Sequence, residues 1–231
     1  MSMTIDELSE LIYYRNVGDF QENVKNLKEN ISKLNSSDYS LLHVAAKVED
    51  SEIIIEHLIE LGIDVNIRDL GGNTPLMISA NYNCPKNLKT LLQNKADTSL
   101  FNNDLNSALH LSCAGNHLES TKVLIQNGAN PNADAGNKKT PLINAIKGKP
   151  NLKIIDLLLS NGADINYGNG NATPLMFAIS YKNLELVKYL LDRGAEINGF
   201  TNRAGETTIQ YAERVGDGEI LKYLKDWKTE G

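Results

Sequence analysis

The sequence predicts an all-α repeat solenoid, in which helix-turn-helix units joined by β-hairpin loops stack into a single curved domain. Three observations carry that expectation. An aliphatic residue preceded by a hydroxyl or small residue recurs at Leu42, Leu76, Leu109, Leu142, Leu175 and Ile209, at intervals of 34, 33, 33, 33 and 34 residues. A fixed period of this size marks stacked units that cannot bury their apolar faces alone. Each phrase leads into apolar residues at helical spacing and, in most copies, on to a closing glycine, at Gly62, Gly128, Gly162 and Gly194. With 41% apolar residues in 231 positions, the chain can bury a continuous core.

The elements follow in order. Residues 1–34 are expected to form an N-terminal capping helix pair, opened by a capping box of Thr4 and Glu7 and divided at Val17-Gly18-Asp19 into two amphipathic segments. Residues 35–201 hold five repeats. Within them Thr74, Thr140 and Thr173 stand where a hydroxyl accepts from an otherwise unpaired N–H at a helix start. Pro75, Pro141 and Pro174 follow at the first helical position, where the missing N–H costs nothing. Ser107-Ala108 keeps the hydroxyl and drops the proline, so the helix there is expected to survive.

Ala45, Ala80, Ala145 and Ala178 let neighbouring first helices approach. Second helices show the 3.6-residue pattern, as in Leu184, Val187, Leu190 and Leu191, with Glu185 and Lys188 left to solvent. The closing glycines suit a left-handed helix end. Lys95 occupies that place in one repeat, which predicts a side chain at positive φ at a cost of ~1 kcal/mol. Hairpin turns are expected next, as at Ala163-Asp164-Ile165-Asn166, with Asn66, Asn132, Asn166 and Asn198 satisfying turn backbone groups. Residues 202–231 form a degenerate C-terminal capping repeat, from Gly205-Glu206-Thr207-Thr208-Ile209 to a second helix over Glu219–Trp227 with a polar outer face.

The fullest copies read Gly72-Asn73-Thr74-Pro75-Leu76-Met77-Ile78-Ser79-Ala80 and Asn171-Ala172-Thr173-Pro174-Leu175-Met176-Phe177-Ala178. With the partial copies Leu41-Leu42-His43-Val44-Ala45-Ala46 and Ser107-Ala108-Leu109-His110-Leu111-Ser112, they resemble the Thr-Pro-Leu-His-x-Ala-Ala signature of the ankyrin family. The resemblance covers nearly the whole chain. It implies that His43 and His110 hydrogen-bond within and between repeats, as His117 does at a helix junction. It also implies a non-enzymatic scaffold that binds another protein on its concave face, against hairpin tips and the exposed side of the first helices.

Carried onto this chain, the tip positions are Tyr39, Leu70, Asn73, Asp104, Asn106, Lys139 and Arg203. The ends of the first helices supply Lys47, Asn81, Tyr82, Lys147, Tyr181 and Arg214. Tyrosine offers large contact area at small rotamer cost, so Tyr82 and Tyr181 stand out, either meeting a partner or packing across a groove between repeats. Phe101 and Phe200 either join them or brace the next turn.

The formal charge of −6 and the pI near 5.3 argue against phosphate-driven nucleic-acid binding, although Lys47, Lys139, Lys147 and Arg203 could form a local patch. No segment approaches the ~20 apolar residues that span a bilayer. The first thirty residues hold no secretory-type apolar run, being interrupted by Glu7, Glu10 and Arg15. With only Cys84 and Cys113, a reducing compartment and hence the cytoplasm are expected.

Candidates for chemistry are few. His110 and Cys113 share a helix face, which suits a Cys/His nucleophile or half a metal site, yet Cys113 falls on a small-residue packing position and no second pair completes a zinc set. His57, beside Glu56 and Glu60, reads as an exposed surface histidine. Gly168-Asn169-Gly170-Asn171 and Lys147-Gly148-Lys149 lack the strand and helix context of phosphate loops and read as turns. No catalytic residue, metal or cofactor is expected, and the unbound chain is expected to be a monomer. The functional expectation is an adaptor, scaffold or stoichiometric inhibitor; the alternatives are an immunity protein neutralising a co-encoded bacterial toxin and the regulatory subunit of an enzyme.

Overall fold

In a computed structural model of the chain, the described residues are 3–25, 33–134, 136, 139–147, 149–168 and 172–230. Fourteen helices among them form seven pairs. The first helices are α1 (Ile5–Tyr13), α3 (Leu41–Lys47), α5 (Pro75–Asn81), α7 (Ala108–Ala114), α9 (Pro141–Ile146), α11 (Pro174–Ser180) and α13 (Thr208–Val215). The second helices are α2 (Val17–Val24), α4 (Glu52–Glu60), α6 (Pro85–Gln93), α8 (Leu118–Gln126), α10 (Leu152–Ser160), α12 (Leu184–Asp192) and α14 (Gly218–Glu230). This is an all-α repeat solenoid, divided into two compact units at Ala133 and Asp134.

In the first unit α1, α3, α5 and α7 pack in series, and α2, α4, α6 and α8 form a second row. In the second unit α9, α11 and α13 pack in series, each against its own second helix. The recurring Leu42, Leu76, Leu109, Leu142 and Leu175 are all buried, whereas Ile209 in the last repeat is half-buried. Ala45, Ala80, Ala145 and Ala178 lie buried where these first helices meet.

The helix starts form as their chemistry dictates. Thr74, Thr140 and Thr173 accept from the backbone N–H of Met77, Ile143 and Met176. Ser107 accepts from His110 N–H, and α7 forms without its proline. Thr4 and Glu7 make a reciprocal capping box. At the helix ends Gly62, Gly128, Gly162 and Gly194 hold φ between 83° and 96°, and Lys95 holds 66° in the same place.

Three expectations need correction. Val17-Gly18-Asp19 does not separate helices; it is the first turn of α2. The break lies at Tyr14–Asn16, where Arg15 takes φ 56° and the Asn16 side chain caps α2 by accepting from Asp19 N–H at 3.3 Å.

The hairpin loops contain no strands among the described residues, only an isolated antiparallel bridge between Thr201 and Thr207. Elsewhere each tip closes on very few backbone bonds, such as Asp69 N–H to Asn73 carbonyl at 3.0 Å. Side chains take the donors that further rungs would use: Asn102 Oδ1 accepts from the N–H groups of both Asp104 and Asn106, at 3.1 and 2.9 Å.

Two of the four recurring asparagines act across repeats rather than within their own turns. Asn66 Oδ1 accepts from Asp97 N–H at 2.9 Å, and Asn166 Oδ1 accepts from Glu196 N–H at 2.8 Å. The group each one satisfies lies about one repeat further along the chain.

Candidate functional site

Each unit presents its own row of first-helix ends and loop tips. In the first unit Lys47 ends α3 with its Nζ 4.7 Å from the Tyr39 ring centroid and 5.1 Å from that of Tyr13. An ammonium between two aromatic faces is held by their quadrupoles. Tyr39 leans in turn on the His43 ring, centroid to centroid 6.1 Å.

His43 is fully buried and anchors the tips. Its Nδ1 accepts from Ser40 N–H at 3.3 Å, so the proton resides on Nε2, which donates to the Asn73 carbonyl at 2.9 Å. Burial lowers its pKa, against the opposing influence of the Asn73 carbonyl and the Asp69 carboxylate. His110 caps α7 in the same manner. His117 Nε2 donates to the Asn81 carbonyl at 3.1 Å, tying the start of α8 to the end of α5.

The tips of the first unit are laced together. Asn73 donates to both carboxylate oxygens of Asp69 and accepts from Asn102 Nδ2 at 2.7 Å. Asn103 donates through N–H and Nδ2 to the carbonyls of Gly71 and Leu70, both at 3.0 Å. Arg68 Nη1 reaches the carbonyls of Gly72 and Phe101. The Asn73 side chain is therefore committed to holding the loops, as is the backbone of Asn106, while Asp104 and Leu70 remain exposed. Phe101 is half-buried, its ring centroid 6.0 Å from that of His110.

In the second unit Lys147 follows α9 with its Nζ 5.8 Å from the Phe177 ring centroid. Its pKa is lowered, first by burial and then by the nearby charge of Lys139. Arg214 is fully engaged: its fork meets Glu206 at 2.7 and 3.0 Å and lies 4.9 Å from the Tyr211 centroid. Arg203 is exposed at its tip and Phe200 is half-buried.

Tyr82 and Tyr181 occupy matching places in the two units, the C-cap residues of α5 and α11. Their exposures are 52% and 47%, although nearly every residue of the helices they end is buried. The structure thus joins Tyr39 to Lys47, brings Lys139 near enough to Lys147 for its charge to be felt, and leaves both tyrosines facing solvent. Sequence reasoning overlooked Tyr13, Tyr14, Phe177 and Glu206. The register was the available signal: Tyr13 and Tyr14 stand where Lys47 and Val48 stand one repeat on, and Phe177 matches Tyr211.

The remaining chemical candidates are structural. Burial pushes the Cys113 thiol up to about 12 and the Cys84 thiol up to about 11, so neither supplies a thiolate near neutrality. His57 is not the exposed residue the sequence suggested. Its side chain is only 17% exposed because it lies one turn from buried Ile54, with Nδ1 3.8 Å from Glu60 and a buried Nε2 that meets no partner among the described residues. Asn169 to Asn171 and Gly148 lie outside the described residues.

A shallow groove of about 370 Å³ runs beside Asp156, Leu159, Ala163 and Arg193, and its two charged groups pair with each other at 2.8 Å. Among the described residues no cluster of His, Cys, Asp or Glu could hold a metal ion, and no helix is long and apolar enough to cross a membrane.

Known proteins agree with this geometry. A three-copy profile of ankyrin repeats matches residues 11–102 and 99–169, and a many-copy profile matches residues 158–212. The chain belongs to the ankyrin-repeat family. Ankyrin repeat protein FPV031 of fowlpox virus (strain NVSL) is 30% identical over 176 residues, covering 73% of this chain and 51% of the relative. Ankyrin repeat protein L371 of Acanthamoeba polyphaga mimivirus is 30% identical over 165 residues, covering 69% of this chain and 21% of the relative. Human transient receptor potential cation channel subfamily A member 1 is 27% identical over 172 residues, 70% of this chain and 15% of the channel.

The chain spans about half of the fowlpox protein and about a fifth or less of the other two. Among solved structures, the ankyrin repeat domain of Bcl-3, a member of the IkappaB protein family, aligns with a TM-score of 0.81 at 23% identity, over 96% of this chain and 98% of that one. The human ASB11 ankyrin repeat domain aligns with a TM-score of 0.78 at 23% identity, over 94% and 96%. Ankyrin repeats generally mediate protein–protein interaction and are typically non-catalytic.

Proposed function

We propose that this chain is a non-enzymatic module that holds a protein partner on the face built from its first helices and loop tips, acting as an adaptor, scaffold or stoichiometric inhibitor. The observation that supports this most is the exposure of Tyr82 and Tyr181 at the ends of otherwise buried helices. A half-exposed tyrosine on a fixed backbone loses little freedom on binding and contributes a large contact surface. Tyr39 and Lys47 add a braced cation–aromatic pair, Lys139, Lys147 and Arg203 add positive charge, and Asn81, Asp104 and the Arg214–Glu206 pair add polar contacts. Asn73 and Asn106 serve by keeping the tips in place. We propose further that the chain works in the cytoplasm as a monomer when unbound, without a cofactor and without binding nucleic acid.

The test is a pull-down from the native host at physiological salt, with the full chain as bait and mass spectrometry of what is retained. Tyr82→Ala and Tyr181→Ala are expected to weaken retention roughly tenfold or more each, as for interface hot spots. Ile53→Ala, which removes an exposed residue from a second helix, is expected to leave it unchanged. Failure to retain any protein, or equal retention by all variants, overturns the reading.

A further inference from the structure

We infer that the face of α9, α11 and α13 takes an acidic segment of a partner protein, with a partner carboxylate seated on Lys147 and an apolar side chain beside it against Phe177. The inference rests on the protein-binding reading above and specifies the chemistry of what binds.

Cations of the second unit differ in how their charge is met. Four of its cations are matched: Arg193 meets Asp156 at 2.8 Å, Arg214 meets Glu206 at 2.7 Å, Lys225 meets Glu213 at 3.0 Å and Lys188 meets Glu185 at 3.5 Å. Lys149, Lys153, Lys182, Arg203 and Lys222 have no ion pair among the described residues but are exposed, where water solvates the charge. Lys147 differs from both groups. It is half-buried, it has no carboxylate partner among the described residues, and the groups acting on it are the Phe177 ring and the like charge of Lys139.

A partly desolvated cation facing another cation is unfavourable until an anion arrives. The ring beneath it fixes the ammonium in place, which lowers the ordering cost of that arrival. Glu206, the carboxylate next to the start of α13, is held by both arms of the Arg214 fork and by Asn202 Nδ2 at 2.7 Å. The face is therefore locally positive on a chain whose formal charge is −6. Phe177 is itself half-buried and leaves ring surface beside the ammonium, so a carboxylate next to an apolar side chain matches both features.

The test uses the full chain, immobilised for selection from a random peptide display library. The selected peptides are expected to be enriched in Asp and Glu over the input. A synthetic copy of the strongest one, followed by fluorescence anisotropy, is expected to lose roughly tenfold or more in affinity with Lys147→Gln. Lys147→Arg is expected to retain binding and Lys153→Gln to leave it unchanged, while Phe177→Leu weakens it. Circular dichroism melting of each variant separates lost binding from lost folding.

Selected peptides without acidic enrichment, or affinity indifferent to Lys147→Gln in a folded variant, overturn the inference. Peptides whose binding follows Tyr82→Ala instead overturn it while leaving the protein-binding reading standing. Equal, Lys147-dependent affinity for oligothymidylate overturns the assignment to an acidic protein segment.

Discussion

Lys95 holds φ 66° at a helix end where glycine stands at 62, 128, 162 and 194. A side chain in that region crowds the following carbonyl, so Lys95→Gly is expected to stabilise the chain by ~1 kcal/mol in denaturant titrations. Destabilisation would mean that the lysine stem makes a compensating contact. His43 tests the buried anchor of the tips. Its pKa is lowered in the folded chain, so the unfolded chain binds the proton more readily. The stabilisation is therefore full above the ordinary imidazole value of about 6.5 and declines as pH falls below it. Nuclear magnetic resonance titration is expected to place the His43 transition below that value, and a transition above it would contradict the buried neutral ring. The hydroxyl caps at Thr4, Thr74, Ser107, Thr140 and Thr173 were legible in the sequence at this scale because their partners lie within four residues. The environment of His57 was not, since burial depends on packing that the local Glu56 and Glu60 do not report.

At the scale of elements, the junction between α3 and α4 is held by side chains of the next repeat, Asn87 making the most bonds. Asn87 is buried on α6 and donates to the carbonyls of Ala45, Ala46 and Val48 at 3.2, 3.2 and 2.8 Å, while its Oδ1 accepts from Ser51 N–H at 3.3 Å. Removing it strands buried backbone groups, so Asn87→Ala is expected to cost about 2 kcal/mol, with faster hydrogen exchange around 48–51. A neutral effect would show that water or a neighbour replaces the bracket. Thr74→Ala removes only a cap and is expected to cost ~1 kcal/mol. Asn87, Asn66 and Asn166 were opaque in the sequence because their partners lie about one repeat away. The absence of strands in the tips has a similar origin: a segment such as 102–106 closes on its own Asn102 side chain before a ladder can form.

Across the whole molecule, the 33-residue period made the helix pairs legible, because each pair must repeat the same apolar face to bury it against a neighbour. The division into two compact units had no counterpart in that period. The candidate site was legible as a set of register positions, and Tyr82 and Tyr181 stand exposed, each in its own unit. Its finer partition was not, because the commitment of Asn73 to the tip lattice, of Arg214 to Glu206 and of Lys147 to Phe177 each depends on neighbours one repeat away or further along the same loop.

The most direct measurement is a hydrogen–deuterium exchange footprint of the full chain with its captured partner bound. The account predicts slowed exchange in the tips and first helices, such as 69–82 and 173–181, with the second helices little changed. Protection confined to second helices such as 52–60 and 152–160 would contradict it.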